Sequence, residues 1–93
     1  MLFRSNGDGT FRTPVNITVG FGPRAIIAVD LNKDSKWDLV TVNDTGESIS
    51  VLIGNGNGTF QAPVSYAVGH NPWSVNSGFV NADNNVDLLV ANN

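Results

Sequence analysis

Cysteine is missing from all 93 residues, which excludes disulfides, thiolate metal sites and cysteine nucleophiles. Charge is scarce. Asp, Glu, Lys and Arg together make 14% of the chain and the net charge is −3, so the electrostatic footprint of a nucleic-acid or anionic-membrane binder is lacking. No apolar run is long enough to span a bilayer, and membrane insertion is not expected. "MLFRSNGDG" shows no apolar leader. The expectation is that a leader has been removed or that the segment belongs to something larger. A single histidine leaves no nucleophile–base pair in view, and no general acid/base pair is evident outside the acidic loops described below. A non-enzymatic role is expected.

Against this scarcity, residues 30–39, "DLNKDSKWDL", crowd Asp30, Asn32, Asp34 and Asp38 into nine positions. Like charges this close repel, and a hard cation with oxygen ligands is the obvious neutraliser. The alternative is a polar turn in which Asp and Asn side chains hold backbone amides.

The chain also repeats itself. "NGDGTFRTPV" (6–15) returns as "NGNGTFQAPV" (55–64), an offset of 49 residues. The offset continues through Gly20/Gly69, Pro23/Pro72, Asn32/Asn81, Asp34/Asp83, Asp38/Asp87 and Asn43/Asn92. A period of this length suits propeller blades or long helical repeats. Strand patterning decides between them. Val15, Ile17 and Val19 alternate with polar residues, as do Val64, Tyr66 and Val68, while "AIIAV" (25–29) and "DLVTV" (38–42) are β-branched runs. Gly/Asn/Asp clusters between them suit tight turns, and no helical period is evident. The reading is all-β: eight strands, four per repeat, with each repeat a propeller blade of four antiparallel strands.

"AIIAVDLNKDSKWDL" (25–39) followed by "SISVLIGNGNGTF" (48–60) resembles the FG-GAP/VCBS repeats, the blades of integrin-α-like propellers. The resemblance covers nearly the whole chain. It implies that the acidic loop joins strands A and B of a blade and binds Ca²⁺. Residues 1–23 would then be strands C–D of a split blade, 24–69 a complete blade, and 70–93 strands A–B of another split blade. In the first loop the implied ligands are Asp30, Asn32, Asp34, the Lys36 backbone carbonyl and Asp38. Ser35 replaces the glycine that such loops favour at the sharp turn, so strain is expected there. The second loop is degenerate: Asn81, Asp83, Asn85 and Asp87 remain, but Phe79 replaces the first ligand.

Trp37, late in the acidic loop, is expected to pack against the neighbouring blade, with a sugar platform as its alternative, and Trp73, at the start of a strand, is expected to pack too. Trp37, Trp73, Tyr66 and His70 are the candidates for contacting a ligand such as a sugar. Phe11 and Phe60 are expected in the blade-to-blade core. The functional expectation is a Ca²⁺-binding propeller module for adhesion or ligand binding, extracellular or on the cell surface, with a glycan or an extracellular protein as partner. The alternatives are a lectin-like propeller and a purely structural repeat unit. Two blades cannot close a ring, since propellers hold roughly 4–8. The ring would be closed by the rest of a larger propeller, or by three or four copies of the chain sharing blades head to tail.

Overall fold

The computed structural model describes residues 2–3, 6–11, 16–57, 59–78 and 86–92. Within them six strands form: β1 (Pro23–Val29), β2 (Asp38–Asn43), β3 (Ser48–Leu52), β4 (Val64–Ala67), β5 (Pro72–Gly78) and β6 (Asp87–Asn92). No helix occurs among the described residues, so none is long and apolar enough to cross a membrane. The first two expected strands fall partly outside the described residues. Residues 16–19 carry no strand, although Ile17 and Val19 are half-buried and Asn16 and Thr18 exposed.

β1 to β4 form one antiparallel sheet in chain order, and β5 with β6 forms a second, two-stranded sheet. Alternation along the strands sorts their side chains to two faces. The pairs Ala25↔Val42, Ile27↔Val40 and Val40↔Val51 fix one face of the large sheet. Ile26↔Thr41, Ala28↔Leu39 and Leu39↔Leu52 fix the other. The first face carries the core. Val40 and Val42 are fully buried there with Ile49, and Val75 of β5 enters the same cluster. Leu88 and Val90 of β6 join from the second sheet, against Ala25, Ile27 and Val29 of β1. The second sheet therefore covers β1 and β2 on the core face.

The duplication is visible in the geometry. β1 and β5 carry the same irregularity: the register shifts between Pro23 and Ala25 against β2, and between Pro72 and Ser74 against β6. Arg24 and Trp73 are therefore the extra residues of two equivalent bulges. The two "N-G-x-G-T-F" turns match bond for bond. Asn6 N–H donates to the Thr10 carbonyl at 2.9 Å, and Asn55 N–H to the Thr59 carbonyl at 3.0 Å. Thr10 N–H donates to Asp8 Oδ1 at 3.0 Å, and Thr59 N–H to Asn57 Oδ1 at 3.1 Å. Gly7 and Gly56 hold φ of 87° and 88°, a conformation that costs glycine nothing sterically.

A shared glycine–asparagine contact closes each unit. A Cβ on Gly20 would lie 2.5 Å from Asn43 Nδ2, and one on Gly69 would lie 3.2 Å from Asn92 Cγ. Asn43 is fully buried. Its Nδ2 donates to Ser48 Oγ at 3.1 Å and Ser50 Oγ at 2.9 Å, and its Oδ1 accepts from Thr41 Oγ1 at 3.1 Å. Ser50 Oγ in turn accepts from Gly20 N–H at 3.2 Å. A buried amide is tolerable because these partners satisfy it.

One packing expectation is corrected. Phe11 is 59% exposed and meets Phe3 edge to face, with ring centroids 6.0 Å apart, whereas Phe60 is half-buried. The neighbouring strands that would cover Phe11 are not supplied by the described residues.

Candidate metal centre

The loop between β1 and β2 gathers the acidic residues at one end of that hairpin. Asp30, Asp34 and Asp38 each place a carboxylate oxygen within 4.8 Å of the others. Asp30 is half-buried, Asp34 exposed and Asp38 fully buried. The loop is folded by its own carboxylates. Asp30 Oδ1 accepts from Asp34 N–H at 3.2 Å and Asp30 Oδ2 from Ser35 N–H at 2.9 Å. Asp34 Oδ1 accepts from Lys36 N–H at 2.9 Å. These bonds turn the chain back on itself, and Lys33 and Ser35 take φ of 60° and 64° to allow it. The expected strain at Ser35 is thus a left-handed residue with a side chain.

Asp38 has a second task. Its Oδ2 accepts from Leu31 N–H at 2.9 Å, and its Oδ1 from Gly54 N–H at 2.8 Å. One buried carboxylate ties the start of the loop to the segment just after β3. Gly54 must come close for this: a Cβ there would lie 2.0 Å from the Trp37 carbonyl oxygen. Sequence reasoning missed this role, although the "G-N-G" that follows β3 was its signal.

The Asn32 amide completes the group. With its nitrogen turned inward it donates to Asp34 Oδ1 at 2.9 Å and to Asp30 Oδ1 and Asp34 Oδ2 at 3.3 Å each. With its oxygen turned inward, the same end becomes one more acceptor facing carboxylates, an arrangement that a bound cation would satisfy. The donor set, all oxygen and rich in carboxylate, fits a hard divalent ion.

The remaining sequence candidates do not converge. Trp37 lies in the acidic loop and is 68% exposed, so its expected packing is not made within this chain. His70 and Trp73 sit at the opposite end of the hairpin. His70 Nδ1 meets Glu47 Oε1, and the Arg24 guanidinium lies 4.0 Å above the Trp73 ring. Arg24 also pairs with Asp44 at 3.5 Å. Tyr66 stands on β4, opposite Ile49, and is exposed. Of the second loop, only Asp87 is described, half-buried at the start of β6. Phe79, Asn81, Asp83 and Asn85 lie outside the described residues.

A duplicated antiparallel unit with an acidic loop between its first two strands defines a β-rich repeat protein. The family model of the FG-GAP-like repeat matches residues 30–90, and the chain belongs to that family. No curated protein and no solved structure matches it significantly.

Proposed function

We propose that this chain is a Ca²⁺-binding repeat module of β-propeller type that works outside the cell as a binding or adhesion element and assembles with copies of itself. The observation that carries the reading is the convergence of Asp30, Asn32, Asp34 and Asp38 in one loop. Those four side chains would hold the ion, with the Lys36 carbonyl as a backbone ligand. The ion would neutralise a cluster that otherwise repels itself, so its role is to lock the hairpin rather than to react. Extracellular Ca²⁺ modules bind at roughly 10⁻⁴–10⁻³ M, which at millimolar ion stabilises by about 0.4–1.4 kcal/mol per site. That increment matters in a small domain of marginal stability.

Assembly is supported by what the sheets leave open. Among the described residues β6 pairs only with β5, and an unpaired strand edge invites pairing with another chain. Three or four copies would supply a ring of roughly six or eight blades.

Terbium tests the metal site, because the exposed Trp37 sits in the same loop and can sensitise the emission of a bound lanthanide. Saturable Trp-sensitised emission that Ca²⁺ displaces, and that Asp34→Asn weakens, is expected. Emission that Ca²⁺ cannot displace sinks the reading. Light scattering in millimolar Ca²⁺ tests the assembly, with a discrete mass of three or four chains expected and a single-chain mass excluding it.

A further inference from the structure

The second sheet covers β1 and β2 on the core face only. On their other face lies an open groove of about 300 Å³, lined by Ile26, Leu39, Leu52, Ile17, Val19 and Leu2 among others. Ile26 is 59% exposed at its edge. Residues 17–20 already lie along this face, where Ile17 and Val19 line the groove and Gly20 N–H donates to Ser50 Oγ of β3. What is missing from the face is a hairpin over β1 and β2.

The repeat identifies that hairpin. Val75 of β5 and Val40 of β2 are buried in one cluster. Shifted by the offset of 49, Val75 is the image of Ile26, and Val40 is the image of Leu89. Leu89 stands on the outward face of β6, opposite Asn76, and is 49% exposed. The packing that buries Val75 in one cluster with Val40 within the chain therefore has an unmade copy: Ile26 against Leu89. One chain cannot make it, because its own β5–β6 hairpin is already seated on the core face. The bulge residues agree. Arg24 lines the groove while its guanidinium stacks on Trp73.

We propose that the groove is the docking site for the β5–β6 hairpin of a second copy of this chain, with Leu89 of that copy seated on Ile26. The contact is head to tail, so each copy offers one groove and one hairpin. The same docking lays the N-terminal segment of the receiving copy over Val64 and Tyr66 of the inserting copy, which are 53% and 55% exposed on the core face beyond the reach of β5–β6. Trp73 of the inserting copy would reach the groove side of Arg24. The proposal rests on the self-assembly reading above and adds the surfaces that meet.

Two variants at exposed positions test it: Ile26→Arg, which spoils the groove, and Leu89→Arg, which spoils the hairpin. In millimolar Ca²⁺, with folding checked by circular dichroism, each variant alone is expected to scatter as a single 9.9 kDa chain. Their equimolar mixture is expected to scatter as a pair, because one intact groove and one intact hairpin remain between them. A wild-type assembly that survives in both variants overturns this contact and leaves self-assembly standing. A wild-type single chain overturns both. Should the arginine variants unfold, Ile26→Cys and Leu89→Cys chains mixed with a short bismaleimide provide the second reading. Cross-linked heterodimer supports the contact, and its absence from an assembled wild-type background overturns it.

Discussion

Asp38 and Asp34 belong to the same acidic group, but the geometry gives them opposite behaviour in the absence of a divalent ion. Asp38 is buried and accepts from the N–H groups of Leu31 and Gly54 at 2.9 and 2.8 Å. In Asp38→Asn one of those acceptors becomes an NH₂ group facing an N–H. A charge-assisted bond worth about 1.5–3 kcal/mol is lost, and a buried donor is left unsatisfied at a further 1–3 kcal/mol or so. Removing the charge gives something back. Two carboxylate oxygens within 4.8 Å of each other repel by about 1 kcal/mol or more in a water-like medium and about 3.5 kcal/mol or more at an effective dielectric of 20. Taking the middle of each range, the net expectation in chelator is a loss of about 2 kcal/mol for Asp38→Asn, a fall in melting midpoint of about 8–16 °C. Asp34 is exposed, and its acceptance from Lys36 N–H survives in Asn. Asp34→Asn in chelator is therefore expected to be neutral or to stabilise by up to about 1 kcal/mol. Thermal melts of both variants, with and without Ca²⁺, decide the matter. If Asp38→Asn melts in chelator at or above the wild-type midpoint, Asp38 is a metal ligand only and the hydrogen-bond reasoning is refuted.

Further expectations concern the loop and the turns. Gly54→Ala meets the Trp37 carbonyl at 2.0 Å, so it should cost about 1–3 kcal/mol or more by denaturant melt, whatever the Ca²⁺ concentration. Ser35 has φ of 64°. Ser35→Gly removes about 1–2 kcal/mol of left-handed strain and adds roughly 0.5–1 kcal/mol of backbone entropy cost, so it is expected to raise the midpoint slightly, and a clear fall would contradict the strain argument. The Thr10 hydroxyl and N–H, both donating to Asp8, hold its carboxyl below the ordinary Asp value. A depressed folded-state value means that the turn's contribution is complete above the unfolded value and fades as pH drops through the folded one. An NMR titration of the Asp8 carboxyl should show the depression, and Thr10→Val should reduce it without removing it, because the hydroxyl is lost while the backbone N–H at position 10 still donates.

Much of the fold was legible because the chain states it twice. The offset of 49 aligned two sets of strands and turns, and the β-branched runs "AIIAV" and "DLVTV" with the "SISVL" that follows marked the strands. Those runs are β1, β2 and β3. The acidic loop was legible for the same reason, as closely spaced carboxylates have few physical uses. Other features left little mark in the sequence. Asp38 reaches Gly54 across 16 positions, and only the "G-N-G" after β3 marks the far side of that contact. The bulges at Arg24 and Trp73 leave no pattern of their own, and their stacking appears only when β5 is laid beside β1. Phe11 and Trp37 looked like core residues because of residue type. Both are exposed in this chain, since burial depends on neighbours that a single strand does not encode.

The two hairpins also differ where they look alike. On the core face β1 and β2 present Ala25, Ile27, Val40 and Val42, whereas the matching outward face of β5 and β6 presents Ser74, Asn76, Leu89 and Ala91. The first surface is sealed within the chain, and the second is half hydroxyl and amide. Hydroxyls and amides can return to water without penalty, while buried valines and isoleucines cannot. In the proposed assembly the seam inside the chain would be the tighter one and the outward seam the looser one. Dilution would act on the outward seam alone, whereas heat would have to open the inner one. Chains built this way would part from one another before any chain came apart within itself.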